Sequence, residues 1–378
     1  MRTRGFTFVE LLIASTLTML ILGAAVAMAA AARRALDAEP AALDTVRRMR
    51  EGVTTLAGVL AAAGGGAGVS DPAVSLGASV PLVRPLTALT GAPGPRFTAL
   101  SVLRAASGGV GRVIQPQPGP AGSLTLNRPG SGCALTPVVC GFDAGDVAVI
   151  FDSRGHADVF EIGAVSDELA RITPRQPLAY TYTTGASVMA VRLDRFGLLP
   201  QADGSQVLTR ITFAGAREPM VDGVVDLAFL VWGRASAPEV RDAATGPGLA
   251  QYGLHPMEPF ETDPEEVFPA GVHCMIARTA TAPVSRLATY ASGPDGLARL
   301  EPNHFSDGPW CAFDGAPGAY DADLFRLQRV DIHLRVEVQS AEFRGPAGRL
   351  FTRGGTADRN APRWIPDRTL VASVALGR

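Results

Sequence analysis

The chain has 378 residues, enough to bury one or two sizeable cores. Hydrophobic residues make up 47% and charged residues 19%, with a formal net charge of −2, so nothing in the global charge points to nucleic acid as a partner. Every basic residue is Arg, and 42 Gly and 29 Pro predict many turns and loops.

The first residues are Met1-Arg2-Thr3-Arg4-Gly5-Phe6-Thr7-Phe8-Val9-Glu10-Leu11-Leu12, followed by an apolar run to Ala32 and then Arg33-Arg34. Glu10 is the only charge between Phe6 and Ala32. As a helix, about 6–32 would span on the order of 40 Å, more than the roughly 30 Å hydrocarbon core of a bilayer. A secretory signal peptide has a similar basic start, and Ala27-Met28-Ala29 could serve as its cleavage site. An ordinary membrane anchor is the other simple reading. Glu10 argues against both, because a carboxylate in an apolar membrane segment costs free energy unless it finds a partner.

The stretch Gly5-Phe6-Thr7-Phe8-Val9-Glu10-Leu11-Leu12 resembles the processing site of the type IV prepilin family, with Phe8 where Leu is commoner. The resemblance implies a leader over 1–5 and a cut between Gly5 and Phe6 by the membrane prepilin peptidase. It also implies N-methylation of Phe6 and an assembly salt bridge from Glu10 to the N-terminal amine of a neighbouring subunit. It places the bulk of the chain on the far side of the inner membrane.

Past Arg34 the helical pattern continues, and Pro40 predicts a kink or a fresh start. Leu43, Val46, Met49 or Arg50, Val53, Leu56 and Leu60 fall at spacings of three and four, one apolar stripe over about 41–62. Gly64-Gly65-Gly66 predicts the stop, so the N-terminal helix occupies 6–66. The remainder, 67–378, reads as a β-rich head. Val69 to Pro95 reads as loop, with short strands near Ala99–Val102, Val110–Ile114 and Ser123–Leu126. Gly145 to Asp152 and Ala157 to Ile162 predict a hairpin turning at Ser153-Arg154-Gly155-His156. Residues 234–322 show no clear pattern, and such a long irregular stretch is usually functional or mobile. Val330, Ile332, Leu334, Val336 and Val338 alternate with polar residues and predict a half-buried strand. Thr369–Leu376 predicts the last strand.

The hairpin with its Ala157-Asp158-Val159-Phe160 return strand resembles the PilW-type minor pilins, as does Pro219-Met220-Val221-Asp222-Gly223-Val224 before a strand. That resemblance implies an α+β, pilin-like fold: a long helix, transmembrane then amphipathic, packed on an antiparallel head. It implies a non-catalytic minor pilin that primes pilus assembly in a tip or initiation complex. Its partners would be other minor pilins, the major pilin, the assembly platform and a tip adhesin. The alternatives are a type II secretion pseudopilin, usually much shorter, or an adhesin or enzyme head on a pilin anchor.

Cys133, Cys140, Cys274 and Cys311 are even in number beyond a membrane anchor, which suggests an oxidising compartment and two disulfides. Of the three connectivities, short-range closure favours Cys133–Cys140, helped by Pro137, and Cys274–Cys311. The sequence holds no nucleophile elbow, phosphate loop or paired metal motif, so no cofactor and no metal is expected. Asp143 with Asp146, and Glu261, Asp263, Glu265 and Glu266, lack the spacing of a calcium loop. The arginines between Arg349 and Arg368 read as a solvated surface rather than a nucleic-acid face.

Overall fold

A computed structural model of the chain describes residues 7–63, 83–86, 96–127, 141–151, 157–166, 168–236, 276–278, 283–311, 320–357 and 364–376. It holds one long N-terminal helix, α1 (Phe8–Ala61), and sixteen strands among these residues. In chain order the strands are β1 (Val83–Leu86), β2 (Ala99–Arg112), β3 (Leu124–Thr125), β4 (Val147–Phe151), β5 (Ala157–Ser166), β6 (Arg171–Pro174), β7 (Ser187–Pro200) and β8 (Gln206–Thr212). They continue with β9 (Arg217–Arg234), β10 (Ile276–Arg278), β11 (Pro283–Ser285), β12 (Leu297–Leu300), β13 (Trp310–Cys311), β14 (Tyr320–Asp321), β15 (Leu327–Val336) and β16 (Arg368–Ala375).

Twelve of these strands form one antiparallel sheet, ordered β16-β15-β9-β8-β7-β4-β5-β6-β3, with β2 on β7, β1 on β2 and β12 on β9. The fold is therefore α+β, an apolar N-terminal helix with a large antiparallel sheet. The remaining four strands form two small ribbons, β10 with β11 and β13 with β14.

The helix has two halves of different character. Phe8–Ala29 has a mean hydropathy of 2.3 and no part of it is buried against the rest of the chain. It is long and apolar enough to cross a membrane. The second half buries Ala38, Thr45, Met49, Val53, Leu56, Val59, Leu60 and Ala63, a stripe that recurs every three or four residues. Leu56 and Leu60 are each 1% exposed, and full burial of such a side chain contributes about 1.5–3 kcal/mol. The stripe lies on β16, β15, β9 and β2. Gly52 belongs to it for a steric reason: a Cβ there would overlap the Val221 side chain on β9.

The helix runs through Pro40 rather than restarting there. Pro40 removes the backbone donor that would reach the Leu36 carbonyl one turn earlier. Leu36 is exposed, so solvent can satisfy that carbonyl.

The apolar side chains divide into two main clusters. One joins Met49, Val53, Leu56 and Leu60 of α1 to Leu100, Phe196, Leu208, Val221, Phe229, Val231, Ile332 and Leu334. The other gathers Leu103, Ile150, Phe151, Phe160, Ile162, Ile172, Tyr182, Met189 and Val191. The long strand β7 serves both, with Val188–Val191 in the second and Phe196 in the first.

At Gly223 the register of β9 shifts and the strand passes from β8 to β15. Gly223 has φ +68, a left-handed conformation that favours glycine, and its carbonyl accepts from the Glu337 amide. The bulge turns the Asp222 carbonyl toward α1, where the Arg48 guanidinium donates to it at 2.7 Å. Arg48 also pairs with Asp44 one turn earlier at 2.8 Å.

Several sequence expectations change. Residues 83–86, inside a stretch read as loop, form β1 on β2. The two short strands expected near 99–102 and 110–114 are one strand, β2. Part of the unpatterned 234–322 region is ordered into the sheet, because β12 pairs with the end of β9.

Candidate functional site

The first candidate is the N-terminus of α1. Thr7 is its N-cap and Glu10 its third residue, and the two form a capping box. The Thr7 amide and hydroxyl both donate to Glu10 Oε2 at 2.9 Å, and the Glu10 amide donates to Thr7 Oγ1 at 3.3 Å. The carboxylate thus satisfies orphan donors at the helix start, where the helix dipole also favours negative charge. Ser15, Thr16 and Thr18 donate their hydroxyls to carbonyls of the preceding turn. Glu10 is left as the one ionisable side chain of Phe8–Ala29, on a surface that nothing else in the described chain covers.

Gly5 and Phe6 lie outside the described residues, as do Cys133, Cys140 and Cys274. Cys311 sits in β13, its backbone paired with Tyr320 of β14. Of the acidic pairs, Asp146 accepts from the Asp143 amide at 2.9 Å, which closes the turn before β4. Glu261, Asp263, Glu265 and Glu266 lie outside the described residues. Near the C-terminus, Glu337 is buried and engages both Arg344 and Arg353, and Asp367 engages Arg335 at 3.0 Å. The first two pairs tie the segment after β15 to itself, and the third ties Asp367 back to β15.

Sequence reasoning missed the second candidate, a buried cluster at the root of the unpatterned region. Arg326 lies at the end of the 3-10 helix Ala322–Arg326 and is fully buried. Its Nη1 donates to the carbonyls of Arg234 at 3.2 Å, Ala235 at 3.3 Å and Ser236 at 3.2 Å. Its Nη2 donates to the Ala288 carbonyl, and its Nε pairs with Asp323. The guanidinium also lies 4.8 Å from the centre of the Tyr290 ring, in cation–π range. Tyr290 donates its hydroxyl to Asp323 at 2.7 Å and stacks on His304, with ring centres 4.5 Å apart.

Asp321 caps that 3-10 helix. Its Oδ1 accepts from the Asp323 amide at 2.9 Å and its Oδ2 from the Gly308 amide at 2.8 Å. Asp307, Asp321 and Asp323 each bring a carboxylate oxygen within 4.8 Å of the others. Asp323 is engaged by Arg326 and Tyr290, and Asp321 by two amides, so both buried carboxylates anchor the surrounding chain. Burial pushes the Asp321 carboxyl up to about 6, and the neighbouring Asp323 and Asp307 add to the rise. Burial raises Asp323 as well, opposed by Tyr290 and Arg326. The spacing of Asp321 before Asp323 was a readable cap signal, but nothing local marked Arg326 as a residue of the interior.

Comparison of the chain with protein families, with curated proteins and with solved structures found no match. The reading of function therefore rests on the chain's own residues.

Proposed function

We propose that the chain is a PilW-type minor pilin, a non-catalytic protein that primes type IV pilus assembly within a tip or initiation complex. The observation that carries this is the single carboxylate near the start of an uncovered apolar helix half. The other half of that helix is packed into the head. A soluble protein would bury Phe8–Ala29, and a plain anchor would have no use for Glu10.

Left unpaired at mid-membrane depth the carboxylate would cost up to about 2.5–3.5 kcal/mol, less near the helix end. The capping box offsets part of that in the isolated chain. Pairing with a neighbour's N-terminal amine would offset it in an assembly and fix the register of packed helices. On this reading the protein sits in the inner membrane as a single-pass subunit with its head in the periplasm. After assembly it lies at or near the fibre tip, with other minor pilins, the major pilin, the assembly platform and a tip adhesin as partners.

Mass spectrometry of the N-terminus from membrane-extracted protein tests the reading, the expected start being N-methylated Phe6. A start near Ala30 would mean an ordinary signal peptide and end the proposal. Glu10→Ala should leave insertion and cleavage intact while reducing co-purification with minor pilins and the number of surface pili. Unchanged recovery and pilus counts would remove Glu10 as an assembly contact.

A further inference from the structure

The cluster around Arg326 has an imbalance that the assembly reading does not use. Two carboxylates, Asp321 and Asp323, are each 1% exposed, and the exposed Asp307 stands beside them. Among the described residues, the buried cation facing them is Arg326, which Asp323 already engages. Among the described residues, the cluster also engages Tyr290 and, stacked on it, His304. Tyr290 is a neutral donor to Asp323, and His304 accepts at Nδ1 from the Glu301 amide. The end of β9 contributes the carbonyls of Arg234, Ala235 and Ser236, which accept from Arg326. Among the described residues, the partners of the buried Asp321 carboxylate are the amides of Gly308 and Asp323.

The cluster also occupies a mechanical position. Arg326 holds residues 234–236, where β9 ends, against residue 288, where the chain has come back to the described fold. The Tyr290 amide donates to the Ala235 carbonyl at 2.8 Å across the same junction, and the Ala322 amide to the Pro309 carbonyl at 2.9 Å.

We propose that this junction is an acid-tightened latch. With Asp321 ionised, two buried negative charges stand beside one guanidinium that only Asp323 engages among the described contacts, and opening the junction hydrates the surplus charge. With Asp321 protonated the repulsion is gone, and one oxygen remains to accept an amide.

The sign follows from linkage. The closed-state carboxyl of Asp321 sits at about 6, above the ordinary value of about 4 expected once the junction opens. The stabilisation from protonation is thus fully present below about pH 4 and is lost as the pH rises through about 6. One proton across this interval shifts the opening equilibrium roughly ten-fold between pH 5 and pH 7.

Hydrogen exchange of the full-length chain in detergent reads this directly, at pH 5, 6 and 7 and corrected for the intrinsic rate. Opening at the amides of Tyr290, Gly308, Ala322 and Asp323 should fall roughly ten-fold from pH 7 to pH 5. The β4–β5 hairpin serves as the internal reference. Asp321→Asn, which mimics the protonated group, should give acid-level protection at every pH. Asp307→Asn, at an exposed site, should keep the fold and move the midpoint to lower pH. Wild-type protection that stays constant or weakens toward pH 5 would overturn the latch, as would an Asp321→Asn chain that keeps the wild-type slope. Should Asp321→Asn not fold, an unshifted midpoint in Asp307→Asn overturns it equally.

Discussion

Replacing Arg326 by Met preserves the length of the stem and removes only the guanidinium. The site is fully buried, so no water can stand in for the lost charge without the junction opening. Breaking a buried ion pair by deleting one partner typically costs about 3–5 kcal/mol, because the surviving charge is stranded. Here the stranded group is Asp323, whose remaining partner is the Tyr290 hydroxyl. The carbonyls of Arg234, Ala235, Ser236 and Ala288 also lose this donor, Ala235 alone keeping the Tyr290 amide among the bonds described above, and a buried polar group left unsatisfied costs about 1–3 kcal/mol. Not all four need stay dry, so the expected loss is about 4–6 kcal/mol rather than the sum. Urea unfolding of the detergent-solubilised chain, followed by tryptophan fluorescence, measures it. A second variant, Arg326→Met with Asp323→Asn, removes the stranded charge and should recover about 1–3 kcal/mol relative to additivity. A single-variant loss below about 1 kcal/mol, or strict additivity in the double variant, would refute the view of Arg326 as the junction's charged core.

Two further outcomes are expected. Gly52→Leu should destabilise by about 1–3 kcal/mol or more, since the added side chain must displace Val221 or lift α1 from β9, and thermal unfolding measures this. Non-reducing peptide mapping should link Cys133 to Cys140 and Cys274 to Cys311. In the chain-entropy model the larger loop would contribute roughly 3–5 kcal/mol, and a Cys140–Cys274 peptide would exclude this pairing.

The parts of the fold that sequence made readable are those with a short-range period. Alternation along Val330, Ile332, Leu334 and Val336 matches four of the five buried positions of β15, Asp331 being the fifth. The hairpin is present as β4 paired with β5, Val147 opposite Glu161 and Phe151 opposite Ala157. Its turn lies outside the described residues. The polar side of β15 is less wet than alternation implies. Asp331 is buried because Trp232 Nε1 donates to it at 2.6 Å, and Arg329 stacks over that indole. β1 escaped notice because it is four residues long and contains Pro85, which only an edge strand tolerates well. β1 is such an edge, hydrogen-bonded to β2 alone among the described strands. Arg326 escaped notice for a different reason. Arg is seldom fully buried, and its carbonyl partners are 38 to 92 residues away in sequence. At the helix start, Glu10 stood out by charge alone, while its local bonding to Thr7 became visible only with the cap geometry.

The seating of α1 has a mechanical consequence. A pull applied through the uncovered half of the helix reaches the head along a row of interlocked side chains, from Ala38 to Ala63, and through the Arg48 grip on the Gly223 bulge. Sliding the helix would require many small contacts to yield together, each weak but collectively large. The load would enter β9 near its middle, where the strand changes partners from β8 to β15, so traction would be divided between two neighbours instead of unzipping one. The bulge thereby acts as a load-sharing joint between a rod and a plate.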